Sequence, residues 1–467
     1  MTVELLEPIL SDGIRTTNFF NGRLLTADDF QTLQRAILER ERRIGRAIGD
    51  GVVTGLQVAL DTGASTTERP IVRVTSGLAI NREGTVLALP TDATVALTRA
   101  ISVAPLGDAE FNACPPPGPQ PQPPQTALSN VGFYILTVLP ASGYQGKAPM
   151  TGLDQEGVGS TCGSRYAVSG VRFRLVRVPI SAGSTSTQLR QNVVQVAGEL
   201  NTLMPQLAAP NPPLTLQRDV LRKTSQLRNG IAHLCFGSDQ WQGFPTDPLG
   251  LFGMGANAPQ ARTFLDELRD DEFLDDAEVP LGLVWWTSRG VQFIDAWTVR
   301  RLVGRPADAP SSSRELGDQR FLDRLAMVLQ FQAHLAYLSG SNVFPPVAIK
   351  AREWFWYLPP VGVLALNAPP AVGFDYLQFF DARTIRSPVY VEGAKLTWLL
   401  QSALAYSPID LSNSELTWVY RVRENMQAMV NAPSTAPRLA LLFVNGHVRY
   451  EGDAQYDLSY WDYANYA

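Results

Sequence analysis

The hydrophobic period switches along this sequence, and the order of the switches restricts the fold more than any single motif does. Phe30, Leu33, Ile37, Ile44 and Ile48 follow the helical repeat. Thr26 is placed to cap that helix, with Asp28 and Asp29 in the first turn, where the positive helix end favours acids. Arg35, Arg40, Arg42, Arg43 and Arg46 crowd its other faces, interleaved with Glu39 and Glu41, and Gly49 and Gly51 end it. A solvated helix face is the expectation for this basic surface. Over residues 52–97 the period becomes two. Short strands are predicted at 52–58, 71–74 and 86–89, with a turn at 81–84. Strands at 133–139 and 171–178 are predicted to complete a β-sandwich or barrel-like domain.

The helical period returns after the small-residue linker 183–187. Leu189, Val193, Val196, Leu200 and Leu203 form a seam ended by Pro205. Leu216, Val220, Leu227, Ile231 and Leu234 mark a second helix that closes near Gly237, so a helical hairpin is predicted. Composition then shifts, because all nine tryptophans lie at or after Trp241. A hairpin is predicted at 279–297 around Ser288-Arg289-Gly290. The helix predicted at 314–338 is apolar enough to be a central buried element. Strands follow at 361–366, 389–391, 418–422 and 439–444, with a helix at 395–406. The reading is an α+β chain. An N-terminal helix plus β-sandwich/barrel-like domain spans 1–182, with a proline-rich loop at 115–125. The hairpin spans 183–240, and a Trp-rich mixed α+β domain with an aromatic acidic tail spans 241–467.

A chain of 467 residues is long enough for two to four domains. Its net charge of −5 gives no global attraction to nucleic acid, and no nucleic-acid partner is expected. Lys147, Lys223, Lys350 and Lys395 are the only lysines among 39 basic residues, so arginine dominates. That bias is attributed first to genome base composition, with ion pairs at subunit contacts as the alternative. The first fifteen residues lack a basic start followed by an apolar run, and no stretch reaches the length of a membrane span. Cytoplasmic synthesis and assembly are expected, compatible with later release as part of an extracellular particle. Cys114, Cys162 and Cys235 are too few and too scattered for a disulfide framework or a zinc site.

Chemistry-bearing patterns are sparse. His233, His334 and His447 show no metal-ligand spacing, and His233 and His334 read as satisfied helix residues. No GxSxG elbow occurs, and Cys162 has no nominated base. The run from Gly253 to Ala258 matches a dinucleotide pattern, but Pro248 and Gly250 deny it the strand that such a turn needs. Acids cluster between Asp266 and Glu278 without a calcium-loop spacing, reading as a solvated helix end or a contact for a neighbour's arginines. No catalytic, cofactor-binding or metal residue is assigned, no cofactor is expected, and the chain is not read as an enzyme. Trp354-Phe355-Trp356-Tyr357 alternates faces if extended, so Trp354 and Trp356 are candidate interface anchors, with core packing of both pairs as the competing reading. The segment 453–467 holds five aromatics and no base, and Tyr460 and Trp461 are candidate docking residues there. Such a segment is expected to dock on its own domain or on a neighbour's basic surface.

The string Asn18-Phe19-Phe20-Asn21-Gly22-Arg23-Leu24-Leu25-Thr26-Ala27-Asp28-Asp29-Phe30, with the arginine-rich helix and Gly51-Val52-Val53-Thr54-Gly55-Leu56 after it, resembles openings of baseplate-associated and peripheral proteins of phage-tail-like contractile injection systems. Patches at 280–301 and 456–463 are similar to the same group. The resemblance covers about the first 60 residues plus these patches, and the middle of the chain does not share in it. It carries no chemistry and implies assembly: a structural subunit contacting other subunits of a large particle, with homo-oligomers left open. Phe19, Phe20 and Arg23 are then candidate interface residues that fix the N-terminal turn. Two other functions stay open on the residues alone. One is a cell-surface or glycan-binding module using exposed Trp and Tyr. The other is a hydrolase with a site of dispersed carboxylates.

Overall fold

The computed structural model describes residues 13–67, 69–100, 125–127, 132–149, 162–181, 186–240, 263–304, 318–340, 349–365, 375–381, 389–392, 396–404, 406–412, 417–423 and 439–445. The proline-rich loop, the dinucleotide-like run, Cys114, His447 and the tail with Tyr460 and Trp461 lie outside the described residues.

Thr26 caps α1 (Ala27–Ile48) as predicted. Its hydroxyl accepts the Asp29 N–H, and the Asp29 carboxylate accepts the Thr26 N–H at 3.0 Å, closing a capping box. Short strands follow: β1 (Gly51–Gly55), β2 (Val58–Leu60), β3 (Ile71–Val74), β4 (Gly77–Ile80), β5 (Val86–Leu89), β6 (Ala93–Ala96) and β7 (Thr98–Ala100). They make two small antiparallel sheets, β1-β4-β5 and β2-β3-β6, and β7 pairs with β8 (Gln125–Ala127). The sheets are open, and no barrel closes among the described residues.

The central sheet is built from β9 (Gly132–Pro149), β10 (Cys162–Val178), β11 (Val279–Thr287) and β12 (Gly290–Asp295), in the order β10-β9-β11-β12. The β11–β12 hairpin forms where the sequence predicts it, yet β11 pairs along β9 through Leu283↔Ile135 and Trp285↔Phe133. The boundary placed at 241 is therefore corrected, because this sheet joins strands from both expected domains. Every residue of β11 is buried, so the strand needs a layer on each face.

Strand alternation sorts those layers. Phe133, Ile135, Trp285 and Phe293 face α2 (Gln188–Leu203), α3 (Leu214–Cys235) and α4 (Phe264–Asp270). Tyr134, Leu136, Val138 and Trp286 face Val52, Val72, Val74 and Leu87 of the small sheets. The predicted helical hairpin thus exists, with Leu189, Val193, Val196 and Leu200 buried with Val220, Leu227 and Ile231, but it lies on the sheet instead of standing free.

The remaining elements are α5 (Asp318–Gly340), α6 (Ala351–Trp354), β13 (Tyr357–Leu358), β14 (Val361–Ala365), α7 (Tyr376–Phe379), β15 (Val389–Glu392), α8 (Leu396–Ala403), β16 (Ile409–Asp410), β17 (Trp418–Arg423) and β18 (Leu439–Val444). A second sheet runs β14-β18-β17-β15, parallel only between β17 and β15, while β13 pairs with β16. Leu364, Val419, Leu441 and Phe443 pack with Phe331 and Leu335 of α5. Tyr420, Leu442 and Val444, on the alternate positions, pack with Leu399 and Ala403 of α8. The expected central burial of α5 is met.

Candidate interaction surface

The N-terminal turn is locked to the start of α1. Gly22 takes a positive φ of 87°, which lets Phe20 C=O accept the Arg23 N–H at 3.2 Å. The Arg23 guanidinium then donates to Asn18 C=O at 2.6 Å and pairs with Asp29. The backbone N–H of Thr26 is the largest influence holding the Asp29 carboxyl below its ordinary range, and the Arg23 charge adds to it. With the turn fixed this way, Phe19, Phe20, Leu24 and Leu25 are left on the surface, and Leu24 is 90% exposed.

The apolar stripe of α1 continues that surface. Phe30, Ile37, Ile44 and Ile48 are all exposed, Ile44 at 61%, while the buried residues of the helix are Ala36 and Gly45. A solvated apolar stripe reverses what amphipathic spacing ordinarily signals. The cause is the contact that holds the helix. Gly45 lies against Gly84 in the β4–β5 turn, and a Cβ on Gly45 would overlap the Gly84 carbonyl oxygen. Successive helix residues are about 100° apart, so docking through Gly45 turns Ile44 outward. Eight large apolar side chains are thus exposed along the turn and one helix face, beyond the scattered single exposures normal for a monomer. On the basic faces Glu39 pairs with Arg43 and Arg46 at 3.2 Å, whereas Arg35, Arg40 and Arg42 pair with no acid among the described residues.

A second protruding feature is the distal half of the β9–β10 ribbon. The predicted strands at 133–139 and 171–178 extend to Pro149 and Cys162, paired throughout from Phe133↔Val178 to Pro149↔Cys162. β11 covers β9 only as far as Val138, so among the described residues the distal ribbon is two-stranded, with Tyr144, Tyr166 and Val168 exposed. The sequence hides this extension, since Pro140, Ser142, Gly143, Ser169 and Gly170 are poor strand formers and cross-strand pairing imposes the conformation.

Other expected anchors sit inside. Trp354 is 3% exposed and packs in the core with Phe331 and Phe355, so its candidacy as an interface residue is corrected. The strand alternation assumed for 354–357 does not occur, because α6 carries the chain through Trp354 and only Tyr357 enters a strand. Trp356 is half-buried against the first core, its ring seated where a Cβ on Gly230 would be. No tryptophan whose side chain is described is exposed, which leaves no Trp platform for a glycan among the described residues.

Asp270, Asp271, Glu272, Asp275 and Asp276 of the acidic run are exposed, in keeping with a solvated helix end and turn, and four acids of the run meet arginines. Glu278 pairs with Arg174 at 2.8 Å, Glu267 with Arg190 at 2.5 Å, and Asp266 and Asp276 both lie 3.8 Å from Arg82. These acids therefore meet arginines of their own chain. A depression of about 230 Å³ is lined by Thr187, Arg190, Asp239, Phe264 and Glu267. It is smaller than the ~300–1,000 Å³ usual for a ligand site. Burial pushes the Asp239 carboxyl up, Thr187 donates to it, and Arg190 takes up Glu267. Two opposed carboxylates free for hydrolysis are thus not found there.

His233 and His334 are buried, each with a serine partner: Ser238 Oγ at 2.7 Å from His233 Nδ1 and Ser225 Oγ at 2.9 Å from His334 Nε2. Ser225 donates its single proton to Trp354 C=O at 2.9 Å, so His334 Nε2 is the donor to Ser225. Burial pushes the buried Cys235 thiol up to about 12, which keeps it protonated. No group of three or more His, Cys, Asp or Glu that could hold a metal occurs among the described residues. No helix among them is long and apolar enough to cross a membrane.

No protein-family model and no curated protein matches the sequence. Among solved structures, the chain is similar to a crystal structure of TssK, at 12% identity over 56% of this chain and 72% of that one, with a TM-score of 0.19. It is similar to a chain of the TssK-TssF-TssG baseplate subcomplex of the type VI secretion system, at 12% identity over 55% and 97%, again with a TM-score of 0.19. A chain of the type VI secretion system baseplate complex matches at 10% identity over 57% and 70%, with a TM-score of 0.19. A TM-score at this level does not establish a shared fold.

Proposed function

We propose that the chain is a non-catalytic structural subunit of a phage-tail-like contractile injection particle, at the baseplate or its periphery. In this reading it assembles in the cytoplasm and is held to neighbouring subunits through the turn at 18–25 and the apolar face of α1. The observation that carries the proposal is an amphipathic helix anchored by a glycine contact with its apolar stripe turned outward. A stripe of this kind suits a helix-in-groove contact. The resemblance of residues 18–30 and 51–56 to baseplate-associated proteins supports the class of assembly, and the distal β9–β10 ribbon offers a second arm.

The test is the double substitution Ile37→Asp and Ile44→Asp, with particles purified from the native source. Both positions are exposed, so the variant keeps its melting temperature while its incorporation falls. Recovery of the variant at wild-type abundance in intact particles would sink the proposal.

A further inference from the structure

We infer that the seam between α3 and α5 is an acid-operated joint: protons taken up by His233 and His334 part the body that α5 belongs to from the central sheet, while both stay folded. Each helix is held to its own body by a different face. Val220, Leu227 and Ile231 fix α3 to the central sheet, and Phe331 and Leu335 fix α5 to the second sheet. Between the two helices the apolar contact is small, with Ala232 and Phe236 against Ala326 and Met327. Polar side chains fill the rest of the seam.

Their charges leave little room for more. Arg228 of α3 and Arg324 of α5 are both buried, and Asp295 of β12 accepts from Arg228 at 2.6 Å and from Gln330 of α5 at 3.0 Å. At the rim Arg301 pairs with Asp323 of α5, and Tyr337 of α5 covers the Arg228 guanidinium. His233 faces Arg324 and His334 from α5, Ser238, and the Tyr357 ring of β13 at 5.2 Å. Asp410 and Asp239 lie beyond Tyr357, and Thr187 donates to Asp239. His334 faces Arg228 and His233 from α3, Ser225, and the Phe355 ring at 4.9 Å. Among the described residues no carboxylate hydrogen-bonds either imidazole. An imidazolium at either place would therefore meet buried cations first.

Neutral hydrogen bonds keep the seam shut. Asn229 Oδ1 accepts the Trp356 and Tyr357 N–H groups at 2.8 and 3.0 Å, and Ser225 donates to Trp354 C=O at 2.9 Å. Opening hands these bonds to water, so each resists only modestly. It also returns both imidazoles to water, where they protonate near pH 6.5. Below that pH each histidine draws the equilibrium toward the open form by about tenfold per pH unit.

The experiment measures one distance in the full chain with paired spin labels. Gln195→Cys on α2 and Leu377→Cys on α7, both exposed positions, carry the labels in a chain that also has Cys114→Ser and Cys162→Ser, while buried Cys235 stays unlabelled. Between about pH 7.5 and 5.0 a longer distance is expected to gain roughly a thousandfold in equilibrium over the closed one, about thirtyfold from each histidine. Hydrogen exchange should show the amides of β9 and β11 still protected over that range. His233→Gln with His334→Gln should hold the closed distance at both ends of the range. His233→Gln alone should leave about thirtyfold, and it decides the matter where the double variant does not fold. A closed distance that persists until the β9 amides lose protection would overturn the inference. So would an equal pH response in the His233→Gln chain.

Discussion

Gly45 of α1 and Gly84 of the β4–β5 turn meet backbone against backbone, and their contact orients the helix. A Cβ on Gly84 would in turn overlap the Arg42 carbonyl oxygen, so neither position has room for a side chain. Gly84 also holds a φ of 82°, a region where a side chain is strained. Beside the contact, Arg82 lies 3.5 Å from Asp50, tying the same turn to the residue pair that follows the helix.

Gly45→Ala is expected to weaken α1 docking by about 1–3 kcal/mol, as overpacking does. Hydrogen exchange over α1 should accelerate while the amides of β9 and β11 keep their protection. Unchanged α1 exchange would show that the glycine contact is not what holds the helix.

A buried ion pair lies at the junction of α3, β12 and α5. Asp295 Oδ2 accepts from Arg228 Nε at 2.6 Å and Gln330 Nε2 at 3.0 Å, and Oδ1 accepts the Thr298 N–H at 3.1 Å. Both charged side chains are buried. Asp295→Asn leaves Arg228 uncompensated and is expected to cost about 3–5 kcal/mol. The double variant Arg228→Met, Asp295→Leu should recover much of that loss, and urea denaturation midpoints read both values.

Burial pushes the His233 imidazole down to about 3, with the nearby Arg324 charge adding to it, and lowers His334 well below its ordinary value. The unfolded chain takes up protons near pH 6.5 that the folded histidines refuse. Their contribution is therefore complete above pH 6.5 and declines as pH falls, by about 1.4 kcal/mol per pH unit for each histidine. For His233 the decline continues down to a pH of about 3. Asp239 and Glu278 act in the opposite sense, since burial raises their carboxyls. The comparison that isolates one histidine is the wild type against His233→Gln. The variant should lose about 2–3 kcal/mol less than the wild type between pH 6.5 and 4.5. Parallel stability curves would contradict this account.

Replacing residues 141–170 with a two-residue Asn-Gly turn removes the distal ribbon. Among the described residues the ribbon beyond Val138 pairs with no third strand, and an isolated two-stranded hairpin contributes little by itself. Calorimetry should show a melting temperature close to that of the full chain. A large drop would mean that the ribbon packs on the body of the protein.

Much of the local structure was legible in the residues. The Thr26 cap, the seams of α2 and α3, the β11–β12 hairpin and the buried α5 all formed where short-range patterns placed them. Period and capping are properties of neighbours in sequence, and backbone geometry enforces them directly. Burial of His233 and His334 was legible too, because each lies within an apolar helical repeat.

The surface was not legible. Helical spacing alone did not say which body would cover Ile37, Ile44 and Ile48, and it left Trp354 between interface anchor and core; the fold exposes the isoleucines and buries the tryptophan. By itself the chain determined the strongly patterned segments, among them α1, α2, α3, α5 and the β11–β12 hairpin. Only the tertiary structure decided that β9 and β11 share a sheet across more than a hundred residues, and that α1 rests on Gly45. The reason is physical: periodicity records that a residue has an apolar side, whereas which body covers that side depends on contacts between segments far apart in sequence, and backbone geometry does not encode those.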